Sequence, residues 1–368
     1  MSDPRPACLV TGAVSEYRRE PFRLLARREG VEVIAWQEAG PPVPGLAIHR
    51  TTQAGAARLV ASGSYRAVIC SLSGRVAPLA CYAAARARGL PFVLWTGIWE
   101  HPRTPAHLLS RLAANRLYRG ADAVATYGEH VSRHVARERG ARGCVEVAPQ
   151  AVDVGHFGAS VPSEDRRRAR ELAGGEGTEL LVLYVGRLEE EKGVRGLLEA
   201  WRGAGLGPGA RLAMAGSGQL RAEADRSGGD VRTLGYVPRS DLPPLYAAAD
   251  LLVLPSARTA TFTEPWGLVV NEAMLQRNPV ITSDAVGAAA GGLVRNGRNG
   301  LVFPAGDAGA LGVSLRTLAA APELRERLGA CAREDARRLT PAAWAEGMAR
   351  ALFCAGATRG SSTLEPDC

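Results

Sequence analysis

ELLVLYVGRLEEEKG, residues 179–193, runs an apolar stretch into a glycine, an acidic turn and the only lysine in the chain. Of 45 basic residues, 44 are arginine, so a lysine here asks for a reason. A short apolar run ending in glycine predicts a buried strand, and the charged turn after it predicts the approach to a helix. The second half repeats that unit in ARLAMAG (210–216), VRTLGYV (231–237), DLLVLPS (250–256), PVITSD (279–284) and NGLVFP (299–304). The first half carries it in ACLVTG (7–12), VEVIAW (31–36), RAVICSL (66–72), PFVLW (91–95), DAVATY (122–127) and CVEVAP (144–149). Amphipathic stretches such as HLLSRLAANRLYRGA (107–121) lie between them. This alternation predicts parallel sheets covered by helices.

With 368 residues, two domains are expected. The divisions are a Rossmann-like domain over 1–158, a linker with a short helix over 159–178, and a second Rossmann-like domain over 179–338. A helix over 339–356 is expected to pack back on the first domain, followed by a disordered tail over 357–368. Two doubly wound domains facing across a cleft would bind ligands at the carboxyl ends of their strands. A dinucleotide enzyme is disfavoured, because TGAVSEYRREP (11–21) has one glycine where that fingerprint needs three. The GSG at 216–218 is read as turn chemistry.

No apolar run reaches the roughly 18–20 residues that span a bilayer. The N-terminus lacks a signal-peptide layout. The seven cysteines are scattered without a CxxC, which predicts reduced thiols in a cytoplasmic protein, with neither disulfides nor a zinc site. The charge excess sits in one place. Residues 1–155 hold 20 Arg against 12 Asp and Glu, a surplus of 8, while the remainder balances at 25 and 25. That asymmetry predicts salt-sensitive contact with an anionic membrane surface, through Arg103, Arg111, Arg116 and Arg119. No nucleic-acid partner is expected.

Two features share one electrostatic logic. Arg187 and Lys192 flank the exit of a strand, where a planar fork and a compact ammonium suit a diphosphate. In TFTEPWGLVVNEAMLQRNPVI (261–281), Glu264 and Glu272 are eight residues apart, and Pro265 and Gly267 suit a helix entry. The amides of Gly267, Leu268 and Val269 then form an anion site at the helix N-terminus. Read alone, the two glutamates could be an ordinary helix-entry carboxylate and a solvated helix residue.

Residues 180–338 resemble the nucleotide-sugar-binding domain of the retaining GT-B glycosyltransferases of family 4. The resemblance rests on VGRLEEEKG (185–193), LGYVPRSDLPPLYAAADLLVLPS (234–256), EPWGLVVNE (264–272) and DAVGAAAGGLVRNGRNGLVFPAGD (284–307), in that order. The first domain is similar to that family's acceptor domain at RLYRGADAVATYGEHVSRHV (116–135) and APQAVDVGHF (148–157). The resemblance implies a UDP- or GDP-linked sugar donor, a hydroxyl acceptor of unspecified kind, no separate cofactor and no metal. It gives Arg187 and Lys192 the diphosphate, Glu264 the transferred sugar, and the backbone at Trp266 and Gly267 the frame around it. Leu268 and Val269 would hold phosphate through their amides, and Glu272 the ribose hydroxyls. Tyr236 and Val237 would flank the base, and Gly12 would let the first domain approach the phosphates. The implied reaction retains anomeric configuration, with the departing diphosphate assisting removal of the acceptor proton.

Two departures stand out. The family's histidine after the fourth strand of the first domain is missing from WTGIWEHP (95–102), leaving His101 as a late substitute. His130, His134 and His156 are read as surface or structural. The glycine usual before the PVI strand is Arg277, and Asn278 is expected to take the left-handed helix cap. The alternatives are a non-catalytic nucleotide-sugar-binding or scaffold protein of the same fold, and a GT-B epimerase or phosphorylase.

Overall fold

The computed structural model describes residues 3–37, 40–101, 104, 108–140 and 143–357. The chain divides into two units, Met1–Ala151 joined by the stretch from Pro341, and Val152–Thr340.

The first unit is built on β1 (Ala7–Thr11), β2 (Val31–Ala35), β3 (Ile48–Arg50), β4 (Ala67–Ser71), β5 (Phe92–Thr96), β6 (Ala123–Thr126) and β7 (Cys144–Val147). Their order is β3-β2-β1-β4-β5-β6-β7, and every neighbouring pair is parallel. Strands β1, β4, β5 and β6 are buried at every position, so they read as unbroken apolar runs without alternation. Helices cover both faces. Phe22 and Leu25 of helix Glu16–Glu29 close one core, and Val60, Leu117, Tyr118 and Val131 close the other. The edge strand β3 was not foreseen, since its three residues include no fully buried side chain and give no apolar signal.

Helix Pro341–Cys354 belongs to this unit. It inserts Trp344, Met348 and Leu352 into the core beside β1, with the Trp344 ring 5.4 Å from Phe22 and 5.5 Å from Trp95. A Cβ on Gly347 would run into the Val147 carbonyl, so this turn of the helix lies directly against β7. Arg350 Nε donates to Glu146 at 2.9 Å. Beside it, Cys144 and Cys354 form a disulfide, with Cα atoms 6.0 Å apart. The expectation of uniformly reduced thiols is therefore corrected. The two cysteines lie 210 residues apart, and only the return of this helix to β7 brings them together. Cys8, Cys70, Cys81 and Cys331 are free thiols, and Cys368 lies outside the described residues. Cysteine usage consequently gives no argument for a reducing compartment.

The second unit carries β8 (Leu180–Val185), β9 (Ala210–Ala215), β10 (Val231–Gly235), β11 (Leu251–Leu254), β12 (Val280–Ser283) and β13 (Gly300–Phe303). Their order is β10-β9-β8-β11-β12-β13, again parallel throughout. Helix Ser163–Gly174, in the segment read as a linker with a short helix, is tied to this sheet. Arg170 donates to Asp250 at 2.9 Å and to the Ala248 carbonyl at 2.6 Å, and Asp250 in turn accepts from the Leu181 amide at 2.7 Å. No described helix is long and apolar enough to cross a membrane. Of the tail predicted over 357–368, Ala357 is instead buried and accepts from Arg66 Nε at 3.2 Å, and 358–368 lie outside the described residues.

Trp344 tests whether the returning helix completes the first core. Replacing a fully buried tryptophan by alanine removes about 3–5 kcal/mol. Trp344→Ala should lower the melting temperature of the first unit by roughly 10 °C in calorimetry. An unchanged transition would show that this helix is dispensable to the core.

Candidate functional site

In each sheet the strand order reverses once, which opens a crevice at the carboxyl ends of the two strands flanking the reversal. In the second unit those strands are β8 and β11, and their exits carry the chemistry singled out above. After β8 the chain passes Gly186 and Arg187 into a single 3₁₀ turn, Glu190–Lys192, that stops at Gly193. Gly193 takes a left-handed φ of 71°, and a Cβ there would strike the Pro255 carbonyl after β11. Only glycine lets the two exits meet this closely. Lys192 is thereby held over the β11 exit.

There it forms an ion pair with Glu264, largely shielded from solvent. Ser256 Oγ donates to the same carboxylate oxygen at 3.1 Å, and the Phe262 ring lies 5.1 Å from the ammonium. Glu264 is fixed through its backbone as well, since its carbonyl accepts from the Gly287 amide at 3.1 Å. Arg187 lies at the rim, more exposed, paired with Glu191 at 2.9 Å. Tyr184 Oη donates to the Arg187 carbonyl at 2.6 Å, so the end of β8 shapes this loop. Each predicted phosphate cation thus already holds a carboxylate.

The Pro-Trp-Gly segment leads into helix Leu268–Leu275, capped by Gly267 at φ 92° with no side-chain acceptor on its first amides. Leu268 and Val269 stay partly exposed, whereas every residue from Val270 to Leu275 is buried. An uncapped, partly open helix N-terminus attracts anions. Trp266 is committed inward, its Nε1 donating to Asn271 Oδ1 at 2.8 Å, so only its backbone faces the helix entry. Glu272, one turn in, is buried beside Tyr246 and Arg239. Tyr246 Oη donates to it at 2.8 Å and Arg239 Nη1 lies 3.4 Å away. Burial pushes its carboxyl up to about 7, against the opposing pull of Arg239 and the Tyr246 hydroxyl. Arg239 stacks over Phe157 at 4.6 Å, and its buried Nη2 has no hydrogen-bond partner among the described residues. Tyr236 leaves β10 with 77% of its surface exposed, and Val237 follows half-buried.

Sequence reading missed the roles of Ser256, which holds Glu264, of Phe262, which flanks Lys192, and of Tyr246 and Arg239, which hold Glu272. All four lie within the quoted segments 234–256 and 261–281, but their pairing with these charges is set by the fold and not by their spacing. The GSG at 216–218 does more than turn the chain. A Cβ on Gly216 would collide with the Gly186 carbonyl, and Ser217 O accepts from the Leu188 amide at 2.9 Å, so these residues buttress the β8 exit. The left-handed cap is also corrected. Arg277 adopts it, at φ 66°, within a reverse turn in which the Asn278 amide bonds Ala273 O at 3.1 Å. Asn278 instead uses its side chain, donating to the Tyr246 carbonyl at 2.7 Å.

In the first unit, Gly12 follows β1 and lines a cavity of about 370 Å³ at that sheet's own reversal point. His101 does not line it. That ring packs 5.2 Å from His134 and 6.0 Å from Tyr118, and burial lowers its pKa to about 4. Among the described residues, the one cluster of metal-capable groups is Cys144, Glu146 and Cys354. The disulfide takes both sulfurs and Arg350 takes the carboxylate, so it offers no ligand set as it stands.

Residues 165–335 match the family described as glycosyl transferases group 1. Over 197 residues the chain is 31% identical to sulfoquinovosyl transferase SQD2 of Arabidopsis thaliana, covering 51% of this chain and 36% of that protein. It is 31% identical over 157 residues to alpha-D-kanosaminyltransferase of Streptomyces kanamyceticus, covering 40% and 38% respectively. The chain thus spans less than half the length of these curated relatives. Among solved structures, Anabaena Alr3699/HepE in complex with UDP superposes with a TM-score of 0.77 at 20% identity, covering 95% of this chain and 99% of that one. Sucrose-phosphate synthase of Thermosynechococcus elongatus gives 0.72 at 22% identity, covering 95% and 100%. The two parallel Rossmann-like sheets and these likenesses establish a GT-B fold, and the match to the glycosyl transferases group 1 family falls on its second unit.

Proposed function

We propose that the chain is a retaining, metal-independent glycosyltransferase, moving a sugar from a UDP- or GDP-linked donor to a hydroxyl of a glycan, lipid-linked or small-molecule acceptor. The carrying observation is the Lys192–Glu264 pair beside an uncapped helix N-terminus at the reversal point of the second sheet. Solved relatives of the same fold hold UDP and UDP-glucose. Glu264, fixed by Ser256 and Gly287, accepts hydrogen bonds from hydroxyls of the transferred sugar. Lys192 has three donors, so it keeps Glu264 in place while reaching a donor phosphate oxygen. Arg187 swings from Glu191 to the same diphosphate, and the amides of Leu268 and Val269 complete the anion site. As the glycosidic bond to the diphosphate breaks, negative charge moves onto the leaving oxygen, where these fixed donors stabilise it. That oxygen takes the acceptor's proton. Glu272 receives the ribose hydroxyls, and the open face of Tyr236 receives the base.

A peripheral membrane contact belongs to the same proposal. Helix Leu108–Gly120 buries Ala114, Leu117 and Tyr118 but leaves Leu108, Leu109 and Leu112 exposed beside Arg111. Exposed leucines flanked by arginine suit an anionic bilayer surface. Arg103, predicted with them, lies outside the described residues. The full chain should cosediment with vesicles containing phosphatidylserine, and release in about 0.5 M salt. Leu109→Ser with Leu112→Ser should weaken this binding. Equal retention on neutral vesicles would remove the membrane contact.

The glutamates separate chemistry from binding. Glu264→Gln should lower kcat on the order of 100-fold with little change in donor affinity, because its contacts strengthen as positive charge develops on the sugar. Glu272→Gln should chiefly weaken donor binding, about 10-fold. Since Glu272 in the folded protein ionises near 7, above its ordinary 4.5, its folded form keeps a proton between those values. Its contribution to stability is present at low pH and lost as pH rises through that window. Ribose hydroxyls favour the ionised form, so wild-type UDP affinity should rise from pH 5.5 to 8 more steeply than that of Glu272→Gln. Full activity in both variants would reject the site, and donor binding without transfer or hydrolysis would favour a non-catalytic binding protein.

A further inference from the structure

The cavity of the first unit has an unusual charge. It opens where β1 and β4 part, and of its 14 lining residues Arg18 is the one basic or acidic side chain. Arg18 is 5% exposed, yet no described carboxylate pairs with it. Its Nη2 donates to Tyr127 Oη and to Gln150 Oε1, each at 3.1 Å, both neutral acceptors. Three aromatic rings surround the guanidinium, Trp95 at 4.4 Å, Tyr17 at 4.8 Å and Tyr127 at 5.4 Å. Cation–π contacts and two neutral acceptors hold the group in place and leave its charge uncompensated. A buried ion without a counterion is costly. The Nε and Nη1 atoms find no acceptor among the described residues, although an arginine carries five donors. Beside it the cavity presents hydroxyls of Ser15, Ser71 and Ser73 and the amide of Gln37. Ser71 and Ser73 bond each other at 2.7 Å, which aligns two hydroxyls along one wall.

We propose that this cavity binds a hydroxylated, sugar-like molecule through an anionic substituent, a phosphate or a carboxylate, which pairs with Arg18. Under the glycosyltransferase reading, on which this last step rests, the molecule is the acceptor or its terminal unit, and the enzyme selects a negatively charged one. The donor diphosphate is not needed to fill the cavity, since the second unit supplies its own cations in Arg187 and Lys192 and its own helix N-terminus. The volume of about 370 Å³ suits a hexose with one charged group and lies at the small end of ligand cavities.

Calorimetric titration of the full chain with glucose, glucose 6-phosphate and glucuronate, each with and without saturating UDP, tests this. At least one anionic sugar should bind about 10-fold or more tighter than glucose, and UDP should not displace it. The preferred one of the two distinguishes a phosphate from a carboxylate site. Arg18→Gln should remove that preference while keeping UDP affinity. Should Arg18→Gln fail to fold, Ser73→Leu, which fills the cavity from a loop, should abolish sugar binding with UDP affinity intact. Equal binding of glucose and the anionic sugars, no binding of any, or displacement by UDP would overturn the proposal. Anionic sugar binding by a chain that ignores both UDP and GDP would leave the cavity's role standing and reject the donor reading.

Discussion

The ion pair between Lys192 and Glu264 ties together the two strand exits on which the second unit's site is built. It exists because β8 and β11 are neighbours in the sheet and Gly193 lets their loops touch. A pair so shielded is poor evidence for stability, since removing two charges from water costs about what their attraction returns. Its value is positional. It holds a carboxylate and an ammonium side by side at the reversal point of the sheet, with Ser256 beside the one and Phe262 beside the other. The lone lysine of an arginine-rich chain is explained by the same geometry. A compact ammonium fits between Glu264, the Phe262 ring and the β11 exit, where a planar guanidinium would need more room.

The two glutamates show how environment divides like residues between tasks. Glu264 sits against a cation and a hydroxyl, which fix its position. Glu272 lies deeper, where burial outweighs Arg239 and Tyr246 and lifts its pKa towards neutrality. The first unit repeats the reversal point with opposite chemistry. One caged cation and several hydroxyls replace the paired charges of the second. The two units therefore present different charge patterns at equivalent points of similar sheets.

Much of this could be read in the sequence. Buried parallel strands leave apolar runs, and twelve of the thirteen strands announced themselves that way. Arg187, Lys192, Glu264, Glu272 and the Gly267 helix entry were legible because each lies within a short continuous segment. The exceptions have physical causes. β3 is a short edge strand without a buried face. Arg277 takes a backbone conformation that propensity assigns to its neighbour, because Asn278 is engaged with Tyr246. The disulfide depends on a helix returning across 210 residues, and the surroundings of Arg18 combine its own segment with groups at the ends of β4, β5 and β6. Contacts assembled by sheet order leave no local pattern.

If Lys192 is a phosphate ligand held in readiness by Glu264, as proposed, calorimetric affinities of UDP and UMP for wild type and Lys192→Ala, at constant salt, will show it. The account predicts that the variant loses UDP affinity about 10-fold or more while its UMP affinity changes little, because the second phosphate is the one that needs the ammonium. Equal losses for both nucleotides, or none for either, would contradict it.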